Sequence, residues 1–531
     1  MRKQITSKKS LMLGEVMSAI LLQALRDAIG TDSVRDGQPE RIAYAADMWP
    51  RTQIWRRSSE VNRYPPTAVV FPEDEAAVQK VVQIAGAHKV PVIPYGGGSG
   101  VCGGTIPIHG GVVIDSKRMR RVVAINDVDL TVEAQTGILG PHLEGQLNDR
   151  GYTLGHFPSS IMCSTLGGWL AARSAGQYST KYGKIEDMVI GLRAVLADGE
   201  ILQTGPGLPF DWTQVLVGSE GTLGLVTSAT LRIHPLPETQ LFRAYRFRSV
   251  EAGSHAIRRV MQANLRPNLV RLYDPLDSLI HSRSKGSGSG ALGTALEPLR
   301  ELFGGPISVL RRRGPELALA MALSVPQTLN RLIKALPVSS LLIMGFQGNE
   351  ETTHDDMDRA RVLLESAGGI DGGDGPGWEW HKGRYNVSFK QSALFNAGAF
   401  ADTMEVSCTW SRLMRTYQEV REAVAPHALL MAHFSHAYPD GCSIYFTFAG
   451  YRRDAAALER LYDRVWSEAL SATVRAGASI SHHHGIGLAK RDLMGREHGA
   501  GLQLLYALKD GLDPLDRMNP GKLLPDRAVR K

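Results

Sequence analysis

Six glycines fall within residues 96–104, in a run that reads from Pro94 to Thr105. Successive glycines open backbone conformations closed to residues with a Cβ, and they leave main-chain N–H groups uncovered. Uncovered amides in series cradle a phosphate. An apolar run at residues 90–93 leads into the loop and another at 111–115 leads out, so it joins two strands. The chemistry predicted is the grip of a pyrophosphate. The spacing Gly98, Gly100, Gly103 also spells G-x-G-x-x-G. That fingerprint requires a helix directly after the glycines, its N-terminus meeting the phosphates. Here Thr105 and its neighbours lead into a β-rich run, and the Rossmann reading fails on context.

Two further segments repeat the theme. In residues 157–176, Ser164 and Thr165 stand where they can cap a helix whose first turn carries Gly167 and Gly168. Glycines there cost about 1 kcal/mol each relative to alanine, so a close approach by backbone or by a flat ligand is implied. Residues 217–226 form a third glycine-broken segment, entering a strand that runs to Ile233.

The elements that must hold these loops can be read around them. Residues 67–71 are strand-like, and Glu73, Asp74 and Glu75 open an amphipathic helix with acids in its first turn. With the strand at 90–93 this makes a β-α-β unit ending at the glycine loop. Residues 121–125 and 130–134 alternate like paired strands. Asp198-Gly199 supplies a hairpin turn between the apolar run 189–196 and residues 200–202. Pro235 and Pro237 mark a boundary, beyond which strands and helices mix. Residues 282–290 and 368–377, rich in Ser, Gly and Asp, are expected to be mobile loops.

A chain of 531 residues exceeds one core, so two or three domains are expected. The net charge of +7 permits attraction to anionic substrates or membrane surfaces, but no Lys/Arg block is dense enough to argue for nucleic acid. Cys102, Cys163, Cys408 and Cys442 are scattered and form no C-x-x-C, which suits a reducing, cytoplasmic compartment. No uninterrupted apolar run of about 18 residues predicts a membrane span. The N-terminus reads as a basic amphipathic helix rather than a signal peptide; packing on its own domain and peripheral membrane contact are both open to it.

Taken together, the three glycine segments resemble the flavin-binding domain of the vanillyl-alcohol oxidase / p-cresol methylhydroxylase superfamily. The resemblance runs over roughly residues 60–525. It implies an α+β protein: an N-terminal helical segment (1–60), a two-subdomain FAD-binding domain of the p-cresol methylhydroxylase (PCMH) type (61–240), a mixed α/β substrate or cap domain (241–484), and a C-terminal helical segment packing back on the FAD domain (485–531). The cofactor residues it implies are Pro94, Tyr95, Gly96, Gly97, Gly98, Ser99 and Gly100; Ser159, Ser164, Thr165, Gly168, Ala172 and Ser174; and Glu220, Gly221, Gly224 and Val226. Members that tether FAD through the glycine loop use a histidine there. Residues 94–108 contain none, so the FAD is expected to be non-covalent.

Within the superfamily the second half is similar to the alkyldihydroxyacetonephosphate synthases of ether-lipid synthesis. Matching residues are Arg271, Glu405, Trp410, the run from His433 to His436, residues 443–448 around Tyr445, and residues 481–487 with His482, His483 and His484. The resemblance implies a general acid/base role for Tyr445, an active-site lining for His482, His483 and His484, and a requirement for Arg271. A tyrosine, with an ordinary pKa near 10, needs a neighbouring imidazolium or a histidine hydrogen bond to work near neutrality. The place of an expected phosphate-gripping arginine is held by Gln391, next to Lys390. Arg384, Lys390, Gln391 and Glu405 are therefore the substrate candidates, with the bidentate fork missing from its expected position.

The competing branch comprises flavin dehydrogenases for D-2-hydroxy acids, which bind a divalent metal through a His-rich run and a Glu. Here the run from His436 to Tyr445 has no second histidine, and His483 stands where the Glu would be. Three consecutive side chains on an extended loop cannot converge on one ion, so no metal is expected. An FAD-linked oxidase or dehydrogenase of an alcohol or D-2-hydroxy acid is the alternative function. The expected partner is a small-molecule or lipid substrate, with a homodimer left open.

Overall fold

The computed structural model describes residues 2–58, 60, 62–281, 323–334, 339–386, 394–395 and 398–526. The expected β-α-β unit is present. Strand Ala68–Val70 is followed by helix Glu75–Ala87, and strands Val92–Tyr95 and Val112–Asp115 flank the glycine loop in parallel. Asp74 caps the helix, accepting from the Ala77 amide at 2.8 Å. Its Val78, Val81, Val82 and Ala85 recur at helical spacing and are buried. Leu21 and Leu25 of the N-terminal helix Arg2–Ile29 pack into the same core. The N-terminal segment also adds strand Val34–Arg35 to this sheet.

A second, five-stranded antiparallel sheet carries the other two segments. Its spatial order is Val122–Asn126, Thr131–Gln135, Leu225–Arg232, Val189–Val195, Ile201–Gln203. The last two strands turn at Gly199, whose φ of 89° is the left-handed value the sequence called for. Helix Leu166–Ala172 lies against this sheet, and the reason for its early glycine is backbone contact. A Cβ on Gly167 would stand 3.2 Å from the Thr136 carbonyl oxygen, which accepts from the Gly167 amide at 2.7 Å. Thr165 is the cap, accepting from the Gly168 amide at 3.3 Å, while Ser164 Oγ accepts instead from Trp169 Nε1 at 2.8 Å.

The cap domain is built on a seven-stranded antiparallel sheet ordered Ile370–Asp371, Thr239–Phe247, Ser340–Gly348, Leu269–Tyr273, Leu429–Ala437, Gly441–Tyr451, Ala399–Thr409. Strand alternation sorts its residues by face. Leu272, Phe434, Ile444 and Val406 lie in register and join one apolar core with Ile257, Val420 and Val465 of the covering helices. One residue along, Tyr273, His433, Tyr445 and Glu405 lie in register on the opposite face. Residues 368–377 are not the mobile loop expected. Ile370 and Asp371 extend the sheet, and Arg243 Nε donates to Asp371 Oδ1 at 2.9 Å. Residues 282–290 lie outside the described residues. Among the described residues no helix is long and apolar enough to cross a membrane.

The C-terminal segment contacts the glycine segments. Lys509 Nζ on helix Gly501–Leu512 donates to the Thr222 carbonyl at 2.8 Å. Asn519 Nδ2 donates to the carbonyls of Gly104 and Glu220, at 2.9 and 2.7 Å, and so ties the first glycine segment to the third. Replacing Asn519 by Ala strands both carbonyls, and a loss of about 1–3 kcal/mol is expected in urea unfolding of the holoprotein.

Candidate active site

The three glycine segments converge. A Cβ on Gly97 would fall 1.9 Å from the Cys163 carbonyl oxygen, one on Gly96 2.2 Å from Thr165 Oγ1, and one on Gly221 2.8 Å from Pro94 Cγ. Gly98 has a φ of 62° and its carbonyl accepts from the Met48 amide at 3.1 Å. Among the described residues the amides of Gly97, Gly98, Ser99 and Gly100 donate to no protein acceptor. This is a cradle that side chains would fill, and its uncovered donors fit the pyrophosphate of FAD.

Several cofactor candidates have other duties. Ser174 Oγ is 3.2 Å from Nε2 of the buried His156, and the Val226 carbonyl accepts from Thr136 Oγ1 at 2.6 Å. Gly224 packs on the backbone of Val195, and Ser159 Oγ accepts from Gln177 Nε2 at 3.1 Å. Tyr95 packs on Tyr44, with ring centroids 4.7 Å apart. Glu220, itself at a φ of 52°, turns its carboxylate to the histidine loop, accepting from the amides of Ile486 and Gly487 at 2.5 and 2.8 Å. Ala172 and Gly485 meet nearby, a Cβ on Gly485 lying 3.7 Å from Ala172 Cβ. Glu220 thus links the cradle to residues 481–487.

The other end of that loop hangs on Glu405, which was expected to touch substrate. Its oxygens are instead committed to protein: Ser481 Oγ donates at 2.8 Å, the His484 amide at 2.7 Å, and the His482 amide donates to the second oxygen. Lys490 Nζ stands 3.0 Å away, and neither charged side chain has any exposure. Burial works to raise the Glu405 pKa, but the Lys490 ammonium together with His484, His483 and His482 holds the carboxyl well below its ordinary range. Glu405 is therefore an ionised anchor beneath the loop, because a strand carboxylate there can answer the loop's amides. Lys490 escaped the sequence reading; a lone lysine after an apolar run carries no pattern.

Above the anchor lie the imidazoles. Burial depresses the pKa of His436, His482 and His483 well below the ordinary value, and that of His484 to about 4, so all four are neutral. Among the described residues no trio of His, Cys, Asp or Glu has metal-holding geometry. Tyr445 stacks on His433, with ring centroids 4.6 Å apart and planes at 19°, and meets His484 edge-on at 5.4 Å. Its hydroxyl donates to Thr403 Oγ1 at 3.0 Å rather than to a histidine, and burial pushes its pKa up to about 12. The expected imidazole hydrogen bond is replaced by ring contacts. His433 Nε2 accepts from Arg271 Nη2 at 2.9 Å, and His433 Nδ1 lies 3.3 Å from Asp277 Oδ2. Arg384 lies over Tyr385, 4.5 Å from its centroid, with a buried Nε that has no hydrogen-bond partner among the described residues. Lys390 and Gln391 lie outside the described residues.

Two outcomes follow. Gly97→Ala must displace backbone, and the purified variant is expected to lose most of its bound flavin, read as the ratio of visible to protein absorbance. His484 refuses a proton that the unfolded chain accepts, so its contribution to stability is present above pH 6.5 and is lost as pH falls toward 4. His484→Gln has no such loss. The wild-type advantage over it in urea unfolding is expected to shrink by about 2 kcal/mol between pH 7 and pH 5.

Comparison with known proteins agrees with this geometry. Residues 66–205 match the family described as "FAD binding domain", and residues 236–523 match "FAD linked oxidases, C-terminal domain". The chain is 30% identical over 532 aligned residues to an alkyldihydroxyacetonephosphate synthase of Trypanosoma brucei brucei, covering 97% of this chain and 82% of that protein. A solved alkyldihydroxyacetonephosphate synthase superposes with a TM-score of 0.74 at 26% identity, over 95% of this chain and 86% of that one. Substrate-bound p-cresol methylhydroxylase shares the fold, with a TM-score of 0.70 at 16% identity over 96% and 97% of the two chains. With a cradle that fits the pyrophosphate and both halves of the chain matched, the protein belongs to the FAD-linked oxidase family and is an FAD-dependent enzyme.

Proposed function

We propose that this enzyme exchanges the acyl chain of an acyl-dihydroxyacetone phosphate for a fatty alcohol, with no net change in the oxidation state of its flavin. The observation that carries the reading is that Arg271, His433 and Tyr445 share one face of the cap sheet, joined by the histidine loop. The likeness to synthases over almost the whole chain supports it. Bound FAD supplies a ring that can share electrons with a substrate carbon and return them.

The protein's own groups then have definable tasks. Tyr445, with a pKa pushed to about 12 and its proton directed at Thr403, holds a proton at its phenolic oxygen at every physiological pH. It can give that proton to a departing oxygen and recover it from an entering alcohol. Arg271, oriented by His433, offers a fixed cation to a carboxylate or phosphate. Arg384, with an unpartnered Nε, is the second cation available to an anionic head group. Glu405 acts through the loop it anchors and not on the substrate.

The test uses the purified holoprotein without oxygen. Acyl-dihydroxyacetone phosphate plus a fatty alcohol is expected to yield the ether with the flavin band intact after turnover. Lasting bleaching by an alcohol or a D-2-hydroxy acid, without any exchange, would replace this reading by oxidation. Tyr445→Phe keeps the ring stack and is expected to lower turnover by about 100-fold or more with an unchanged flavin spectrum.

A further inference from the structure

Five groups from three parts of the chain form a hydrogen-bonded series that the reading above does not use. His436 Nδ1 lies 2.7 Å from Ser179 Oγ, and Ser179 Oγ lies 3.2 Å from the Tyr438 hydroxyl. That hydroxyl lies 3.2 Å from His482 Nε2, and His482 Nδ1 lies 3.0 Å from His483 Nδ1. Ser179 belongs to the FAD-binding domain, His436 and Tyr438 to the end of a cap strand, and the last two to the histidine loop. His436 reaches Ser179 from a register shift between Ser435 and Ala437, where its own φ is 51°.

Among the described residues the hydroxyls of Ser179 and Tyr438 meet no acceptor outside this series, and with both their protons kept inside it, proton counting leaves two states in which every contact is a hydrogen bond. A neutral imidazole carries one N–H and a hydroxyl one O–H. In the first state His436 Nδ1–H donates to Ser179, Ser179 to Tyr438, Tyr438 to His482 Nε2, and His482 Nδ1–H to His483 Nδ1, so His483 carries its proton on Nε2. In the second every donor is reversed. His483 Nδ1–H donates to His482, His482 Nε2–H to Tyr438, Tyr438 to Ser179, and Ser179 to His436 Nδ1, which leaves the His436 proton on Nε2. Passing from first to second, one proton leaves at His483 Nε2 and one enters at His436 Nε2. Each member remains neutral, and none gains or loses a proton overall. Burial depresses all three imidazole pKa values, in keeping with a chain of neutral groups.

We propose that Ser179 and Tyr438 are positioning residues that lock the tautomers of His436, His482 and His483 together, so that the series carries one proton between two points of the same active site. The two end rings, His436 and His483, have centroids only 4.8 Å apart, and His483 lies parallel to Tyr445 at 6.4 Å. In an exchange in which an entering hydroxyl surrenders a proton and a departing oxygen takes one, such a conduit carries protons to and from the site beside Tyr445. This use rests on the proposed function, whereas the tautomer linkage does not.

The linkage is tested by nitrogen-15 NMR of the histidine-labelled holoprotein. The Nδ1–H populations of His436 and His482 are expected to be equal, and to match the Nε2–H population of His483. Tyr438→Phe, which keeps the ring, and Ser179→Ala are each expected to make the populations of His436 and His482 independent. In turnover, both variants are expected to lower kcat by about 10-fold or more with KM within threefold, and to replace a curved proton inventory in mixed light and heavy water by a linear one. Unequal populations in the wild-type protein overturn the proposal even if neither variant folds. Equal populations with unaltered kinetics in the variants would retain the linkage and overturn the conduit.

Discussion

A carboxylate and an ammonium without exposure to solvent, Glu405 and Lys490, hold the histidine loop, residues 481–487, in place. Removing two charges from water costs several kcal/mol each, and their attraction alone seldom recovers it. Here the carboxylate also collects two main-chain amides and the Ser481 hydroxyl, so its hydrogen-bonding capacity is filled. The pair is better understood as specifying a conformation than as stabilising the fold. Without the charge on Glu405, the amides of His482 and His484 would lose the acceptor that turns three successive imidazoles into one pocket.

The same economy governs the cap sheet. A single alternation along four strands sends Leu272, Phe434, Ile444 and Val406 into the helix-covered core and Tyr273, His433, Tyr445 and Glu405 to the face that carries the site. A slip of one residue in any strand would exchange these sets, so the apolar core fixes the register of the chemistry. Tyr445 is half-buried and stacked on His433, and its hydroxyl donates to Thr403, which explains why its proton is firmly held.

How much of this could be read from the sequence depends on the range of each interaction. The glycine loop, the helix capped by Asp74 and the turn at Gly199 are local events, governed by φ angles and neighbouring amides, and they stand where the sequence put them. The matched runs around Tyr445 and His482 named candidate residues but not their partners. Ser179 and His436 are 257 positions apart, and Glu405 and Lys490 are 85. Nothing at either end announces the other, and so Glu405 was expected at the substrate and Lys490, Ser179 and Tyr438 were not singled out. Residues 368–377 misled for the opposite reason. Their composition is that of a linker, yet one edge pairing and the contact with Arg243 order them.

Glu220 ties the cofactor cradle to the reactive loop through the amides of Ile486 and Gly487, and a Cβ on Gly487 would lie 2.2 Å from the Cys102 carbonyl within the glycine run. Two surfaces joined so tightly cannot be ordered independently. Whatever free energy dinucleotide capture spends in settling the cradle is shared with the imidazoles, and by thermodynamic reciprocity a ligand that settles the imidazoles must tighten the grip on the dinucleotide.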